Sequence, residues 1–91
     1  ADTKRALRKA IDLPPEAADL FEALRAERSR LAKAQGVPPY VIFHDTTLRA
    51  MAAVRPRNLD DLALLPGMGR SKLERYGAAF LGVIMEAGNR Q

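Results

Sequence analysis

The chain has 91 residues and a mass of 10.0 kDa, which leaves room for one small hydrophobic core and excludes an assembly of domains. Hydrophobic residues at 47% and charged residues at 29% are too apolar a mix for a disordered chain, yet runs such as Ala63-Leu64-Leu65 and Val83-Ile84-Met85 are far too short to cross a bilayer. Cysteine is absent and His44 is the lone histidine, which excludes disulfides and thiolate–imidazole zinc sites, while the net charge of +4 and a pI near 10.0 favour an anionic partner.

The first segment, residues 1–13, holds Lys4, Arg5, Arg8 and Lys9 against Asp2 and Asp12. It reads as a basic tail or linker, or as one further short helix around Leu7, Ala10 and Ile11. Because its start is charged and carries no apolar leader, a cytoplasmic location is expected. Pro14-Pro15 then opens a long helix, with Glu16 and Asp19 in the turns where the macrodipole favours acids. Ala17, Leu20, Phe21, Leu24 and Leu31 recur at steps of three and four, so the helix runs to about Gln35 with Gly36 as its C-cap. On it, Arg25, Arg28, Arg30 and Lys33 alternate with Glu22 and Glu27 and read as a solvated, salt-bridged face.

Pro38-Pro39 forbids continuation, so Tyr40-Val41-Ile42-Phe43 is a tight connector or one short helical turn, apolar enough to expect burial. Asp45 reads as the N-cap of a helix from Thr46 to about Val54 with Leu48, Met51 and Ala52 inward, closed by Arg55-Pro56. Asn58, three residues before Asp61, predicts a capped short helix with Leu59, Leu62 and Leu65 facing the core. After Pro66-Gly67 and Gly69, the spacing of Leu73, Tyr76, Gly77, Phe80 and Ile84 predicts a last helix ending near Ala87-Gly88, with residues 89–91 as a short tail. No stretch sustains strand alternation, so the chain is read as all-α.

Positive charge in excess sits in the first segment and again over residues 55–75, where Arg55, Arg57, Arg70, Lys72 and Arg75 face Asp60, Asp61 and Glu74. Within that stretch Leu64-Leu65-Pro66-Gly67-Met68-Gly69 has the form of a helix-hairpin-helix turn. Two glycines permit backbone conformations closed to other residues and a close backbone approach, with Met68 between them as a plug. The helix that follows then offers unpaired N–H groups from Gly69 to Lys72, to which Arg70 and Lys72 add full charges, and that combination suits a phosphate. No base edge is read there, so the site has no sequence specificity. The other reading of the same residues is a plain αα-hairpin. Tyr40, set between a proline and three apolar residues, is either a stacking platform for an unpaired base or a packed ring with a bonded hydroxyl. Ser29, Ser71 and His44 have no visible catalytic partner and no phosphate-binding loop is present, so neither catalysis, a cofactor nor a metal is expected of this module.

Three stretches in order, Val37-Pro38-Pro39-Tyr40-Val41-Ile42-Phe43-His44-Asp45-Thr46-Thr47-Leu48, then Leu64 with Pro66-Gly67-Met68-Gly69, then Lys72-Leu73-Glu74-Arg75-Tyr76-Gly77, resemble the HRDC domain. That module is named for helicase and RNase D C-terminal, and the likeness covers roughly Leu20 to Glu86. It implies a compact bundle of about five helices over residues 14–88, containing the helix-hairpin-helix-like turn. It also implies a non-catalytic accessory domain, and the run from Lys72 to Gly77 is closer to the bacterial RecQ helicase branch than to RNase D. Such a domain is expected to be monomeric, to bind single-stranded or partial-duplex DNA weakly, and to regulate or target the helicase on nucleoid DNA. The alternatives are a domain that docks on other parts of the parent enzyme, or the accessory domain of an RNase D-type exonuclease. In DNA-binding members the tyrosine of the proline loop and nearby basic residues take part. The resemblance therefore points to Tyr40, with Arg55, Arg57, Arg70, Lys72 and Arg75 and the backbone of Gly67, Met68 and Gly69. Asp60 and Asp61 interrupt the basic stretch and are candidates for interdomain contact.

Overall fold

The computed structural model describes Leu13 and residues 15–88, and within them the chain is all-helical with five helices. The expectations for residues 1–12 and 89–91, and for Pro14, lie outside the described residues. Leu13 itself is half-buried against the core.

Helix α1 (Pro15–Gln35) presents Ala17, Leu20, Phe21, Leu24 and Ala32 to the core. It stops as expected: Gly36 takes a left-handed φ of 68°, its N–H donates to the Lys33 carbonyl and that of Val37 to the Ala32 carbonyl. That pair of bonds satisfies two of the orphaned carbonyls at the helix end. The connector folds as a single turn, α2 (Pro39–Ile42). Its burial is divided: Ile42 and Phe43 are completely enclosed, whereas Tyr40 and Val41 are exposed.

Helix α3 (Asp45–Val54) buries Thr47, Leu48, Met51 and Ala52. Its N-cap is His44 and not the expected Asp45; the His44 side chain makes no capping bond, and Asp45 is the first helical residue. The carboxylate of Asp45 is engaged elsewhere, 2.7 Å from Nη1 of Arg28. Arg28 in turn is a correction to the solvated face read on α1. It lies about 40° around the helix from Leu24, inside the apolar stripe, is only 8% exposed, and also donates to the Phe43 carbonyl at 3.0 Å. Arg25 and Arg30 do behave as surface residues, paired with Glu22 and Glu27 one turn away.

Asn58 caps α4 (Leu59–Ala63) by accepting a bond from the Asp61 N–H at 2.8 Å. Leu62 and Leu65 enter the core, but Leu59 is half exposed and Leu64, at 83%, stands almost free in solvent. Helix α5 (Arg70–Gly88) buries Tyr76, Gly77, Phe80, Leu81 and Ile84. Gly77 lets α4 approach it, since a Cβ there would sit 2.9 Å from Cδ2 of Leu59. The aromatic centre is Phe43, edge-on to Phe80 at 5.0 Å and to Tyr76 at 6.0 Å between centroids, and the Tyr76 hydroxyl donates to Oε1 of Gln35. Phe43 therefore joins the α2–α3 junction to the middle of α5, and Tyr76 joins α5 to the end of α1.

Candidate nucleic-acid interface

Helices α3 and α5 begin at the same end of the bundle, because the residues at their starts are bonded together. The Thr47 hydroxyl donates to the Pro66 carbonyl at 3.0 Å. Gly67 follows with φ of 78°, and a Cβ on it would lie 2.5 Å from the same Thr47 oxygen. The turn therefore requires glycine at 67 for two reasons, conformation and space. Gly69 is different from the expectation: its φ is not positive and a Cβ there would meet nothing, so its small size serves no internal contact. Met68 is partly buried against the core, consistent with a plug.

Gly69 contributes the carbonyl that accepts the first α5 bond, from the Leu73 N–H at 2.9 Å. The N–H groups preceding Leu73 have no acceptor inside the helix, and the first turn of α5 carries no acidic residue. By contrast, Asp45 stands in the first turn of α3, and Asp60 and Asp61 in that of α4. A partial positive charge thus remains uncompensated by side chains at Gly69–Lys72. Arg70 projects into solvent with a loose 3.5 Å pairing to Glu74, an exposed contact that costs little to break. Arg75 is exposed, about 7 Å further along the helix axis. Lys72 does not point straight outward: it is half-buried with Nζ 5.7 Å from the centroid of Phe43, a cation–π position. That bend carries its charge toward the α2–α3 junction, three residues from Tyr40.

Tyr40 is 59% exposed and its ring stacks on His44, centroids 6.0 Å apart at 29°. Of the two readings of this residue, the packed ring with a bonded hydroxyl is not what the structure shows; among the described residues nothing bonds the hydroxyl. Tyr40 and His44 border an open depression of ≈ 480 Å³ together with Arg28, Pro39, Asp45 and Thr46. His44 had no assigned role in the sequence; its i,i+4 spacing from Tyr40 across one helical turn was the available signal. Asp45 brings a negative charge to this depression, and the hydrogen bond from Arg28, outweighing burial, holds its carboxyl below the usual carboxylate range.

Arg55 and Arg57 are not part of this cluster. They line a separate cavity with Ile84, Met85 and Gly88 at the far end of α5, about 21 Å along the helix axis from Arg70. The basic stretch of the sequence is therefore divided between two ends of the bundle. Asp60 and Asp61 are exposed on α4. Among the described residues no group of acidic or imidazole side chains has the arrangement to hold a metal, and no helix is long and apolar enough to cross a membrane.

The family model described as HRDC domain matches residues 17–84. The ATP-dependent DNA helicase RecQ of Bacillus subtilis is 46% identical over 69% of this chain, and that of Haemophilus influenzae 40% over 75%. The ATP-dependent DNA helicase UvrD2 of Mycobacterium bovis is 41% identical over 72%. The chain spans only about a tenth of the length of these relatives: 11% of each RecQ and 9% of UvrD2. Among solved structures, the D. radiodurans RecQ HRDC domain 3 superposes with a TM-score of 0.75 at 44% identity, covering 77% of this chain and 92% of that one. With the five-helix bundle, the glycine turn and the proline–tyrosine connector all in place, this chain belongs to the HRDC domain family.

Proposed function

We propose that this HRDC domain is a non-catalytic accessory module of a bacterial RecQ-type DNA helicase, and that it holds single-stranded or partial-duplex DNA weakly. One observation carries the reading. The exposed ring of Tyr40 and the uncompensated start of α5 are brought to one end of the bundle by the Thr47–Pro66 bond and by Lys72 lying over Phe43. A base stacks on the Tyr40–His44 pair, a contact worth roughly 1–3 kcal/mol, while adjoining phosphates meet the Gly69–Lys72 N–H groups and the charges of Arg70, Lys72 and Arg75. The names of the relatives, all DNA helicases, support a DNA partner. The RecQ parent rests on the identity to the RecQ proteins and to the D. radiodurans domain; the UvrD2 likeness makes that kind of helicase the competing parent. By gripping the strand near the motor, in the cytoplasm and on nucleoid DNA, the module targets or regulates the helicase and does no chemistry itself.

With about three phosphates neutralised on a single strand, log K falls with log salt at a slope of roughly −2. Titration of a fluorescent single strand at two salt concentrations checks this; no binding at low salt, or binding indifferent to salt, contradicts it. A second reading, docking on other domains of the parent through Asp60 and Asp61, is favoured by the exposed Leu59 and Leu64 on either side of that acidic pair. It predicts that reversing the charge of Asp60 or Asp61 alters the parent's activity while the isolated domain ignores DNA.

A further inference from the structure

The cavity at the opposite end of the bundle, ≈ 460 Å³ in volume, combines an apolar floor with a cationic rim. Pro56 and Ile84 form its buried base, and Val54 at 59% and Met85 at 57% exposure stand uncovered beside it. Arg55 and Arg57 flank them, and among the described residues neither guanidinium has an ion pair or side-chain hydrogen bond. The rim is held in place by the backbone. Arg55 takes the left-handed conformation, φ 53° and ψ 64°, with its N–H bonded to the Met51 carbonyl at 2.9 Å, and Pro56 fixes the next turn of the chain.

We infer that this cavity is a docking site for an acidic peptide segment of another polypeptide, one that carries a bulky apolar residue between carboxylates. The charge complementarity is direct: carboxylates meet Arg55 and Arg57, for which bidentate pairing is the preferred geometry, and the apolar residue covers Val54 and Met85, the latter adaptable in shape. A nucleic acid fits less well. The exposed Val54 and Met85 side chains offer an aliphatic surface that an apolar side chain covers and a phosphate does not.

This inference does not depend on the DNA reading, because the two surfaces lie at opposite ends of α5 and report separately. The test is a titration of the 91-residue chain, isotope-labelled at methyl groups and amides, with a capped synthetic peptide of sequence Glu-Asp-Leu-Phe-Asp-Glu. Saturable shifts of the Val54, Ile84 and Met85 methyls are expected, weakened roughly tenfold by Arg57→Glu and by Met85→Gln, with the Gly67–Lys72 amides unmoved. The proposal is overturned if those methyls stay still, if a peptide with Lys at the acidic positions shifts them equally, or if a thymidine single strand moves them and the peptide does not.

Discussion

The hydroxyl of Thr47 occupies the space that a side chain on Gly67 would need. The two residues belong to different segments, yet a Cβ at 67 would lie 2.5 Å from that oxygen, which is itself bonded to the Pro66 carbonyl. The start of α3 and the turn before α5 are thus one structure. Gly67→Ala combines a left-handed backbone with a clash and is expected to destabilise the fold by about 2 kcal/mol. Thr47→Val removes the hydrogen bond but fills the same space, and a smaller loss of about 1 kcal/mol is expected. Urea unfolding of both variants checks the order, and equal losses would show that the clash is not the larger effect.

Arg28 and Asp45 make a second long-range tie, with one guanidinium nitrogen serving both the Asp45 carboxylate and the Phe43 carbonyl. Arg28→Met keeps the stem but leaves both acceptors without their donor, and a loss of about 2 kcal/mol is expected. The carboxylate is more than half exposed, so the ion pair itself contributes under about 1 kcal/mol after solvent screening. Because its folded pKa is lowered by the Arg28 hydrogen bond, this contribution is complete above the ordinary carboxylate pKa near ~4. It is lost as pH falls through the lowered folded value. The stability gap between the parent chain and Asp45→Asn is therefore expected in full at pH 7 and to shrink as the pH falls through the acid range, measured by denaturant midpoints at neutral and acid pH.

The two tyrosines separate binding from folding. Tyr40 is exposed, so Tyr40→Ala is expected to change stability by less than about 0.5 kcal/mol while weakening single strands by roughly tenfold. Tyr76 is buried with its hydroxyl bonded to Gln35; Tyr76→Phe is expected to cost about 1 kcal/mol of stability and leave strand affinity unchanged. Paired melting curves and strand titrations give the comparison, and a Tyr40→Ala chain that binds as tightly as the parent removes stacking from the account.

What the sequence made legible was local. The close of α1 at Gly36 and the Asn58 cap follow from residues within one turn of each other, and both formed as read. Asp45 had equally good local grounds as a cap, but its carboxylate is drawn to Arg28 on another helix, a contact no neighbouring residue announces. The burial of Arg28 was available in principle, since it continues the Leu20, Leu24, Ala32 stripe; charge type obscured it. Leu59 misled for the opposite reason: α4 has only five residues, and a helix that short cannot bury every leucine around it. In the candidate interface, the glycine turn and Tyr40 were visible as motifs. Their adjacency, and the separation of Arg55 and Arg57 from them, depends on the parallel course of α3 and α5, which sequence order hides.

In the proposed function, the end of the bundle where α3 and α5 both start receives the strand. Amide chemical-shift mapping of the 91-residue chain with a short single-stranded oligonucleotide at low salt tests it most directly. Shifts are expected at Gly67–Lys72 and Tyr40–Thr47, diminished by Lys72→Gln and untouched by Arg57→Glu. Shifts confined to Val54–Arg57 and the end of α5, or none at all, would contradict the claim.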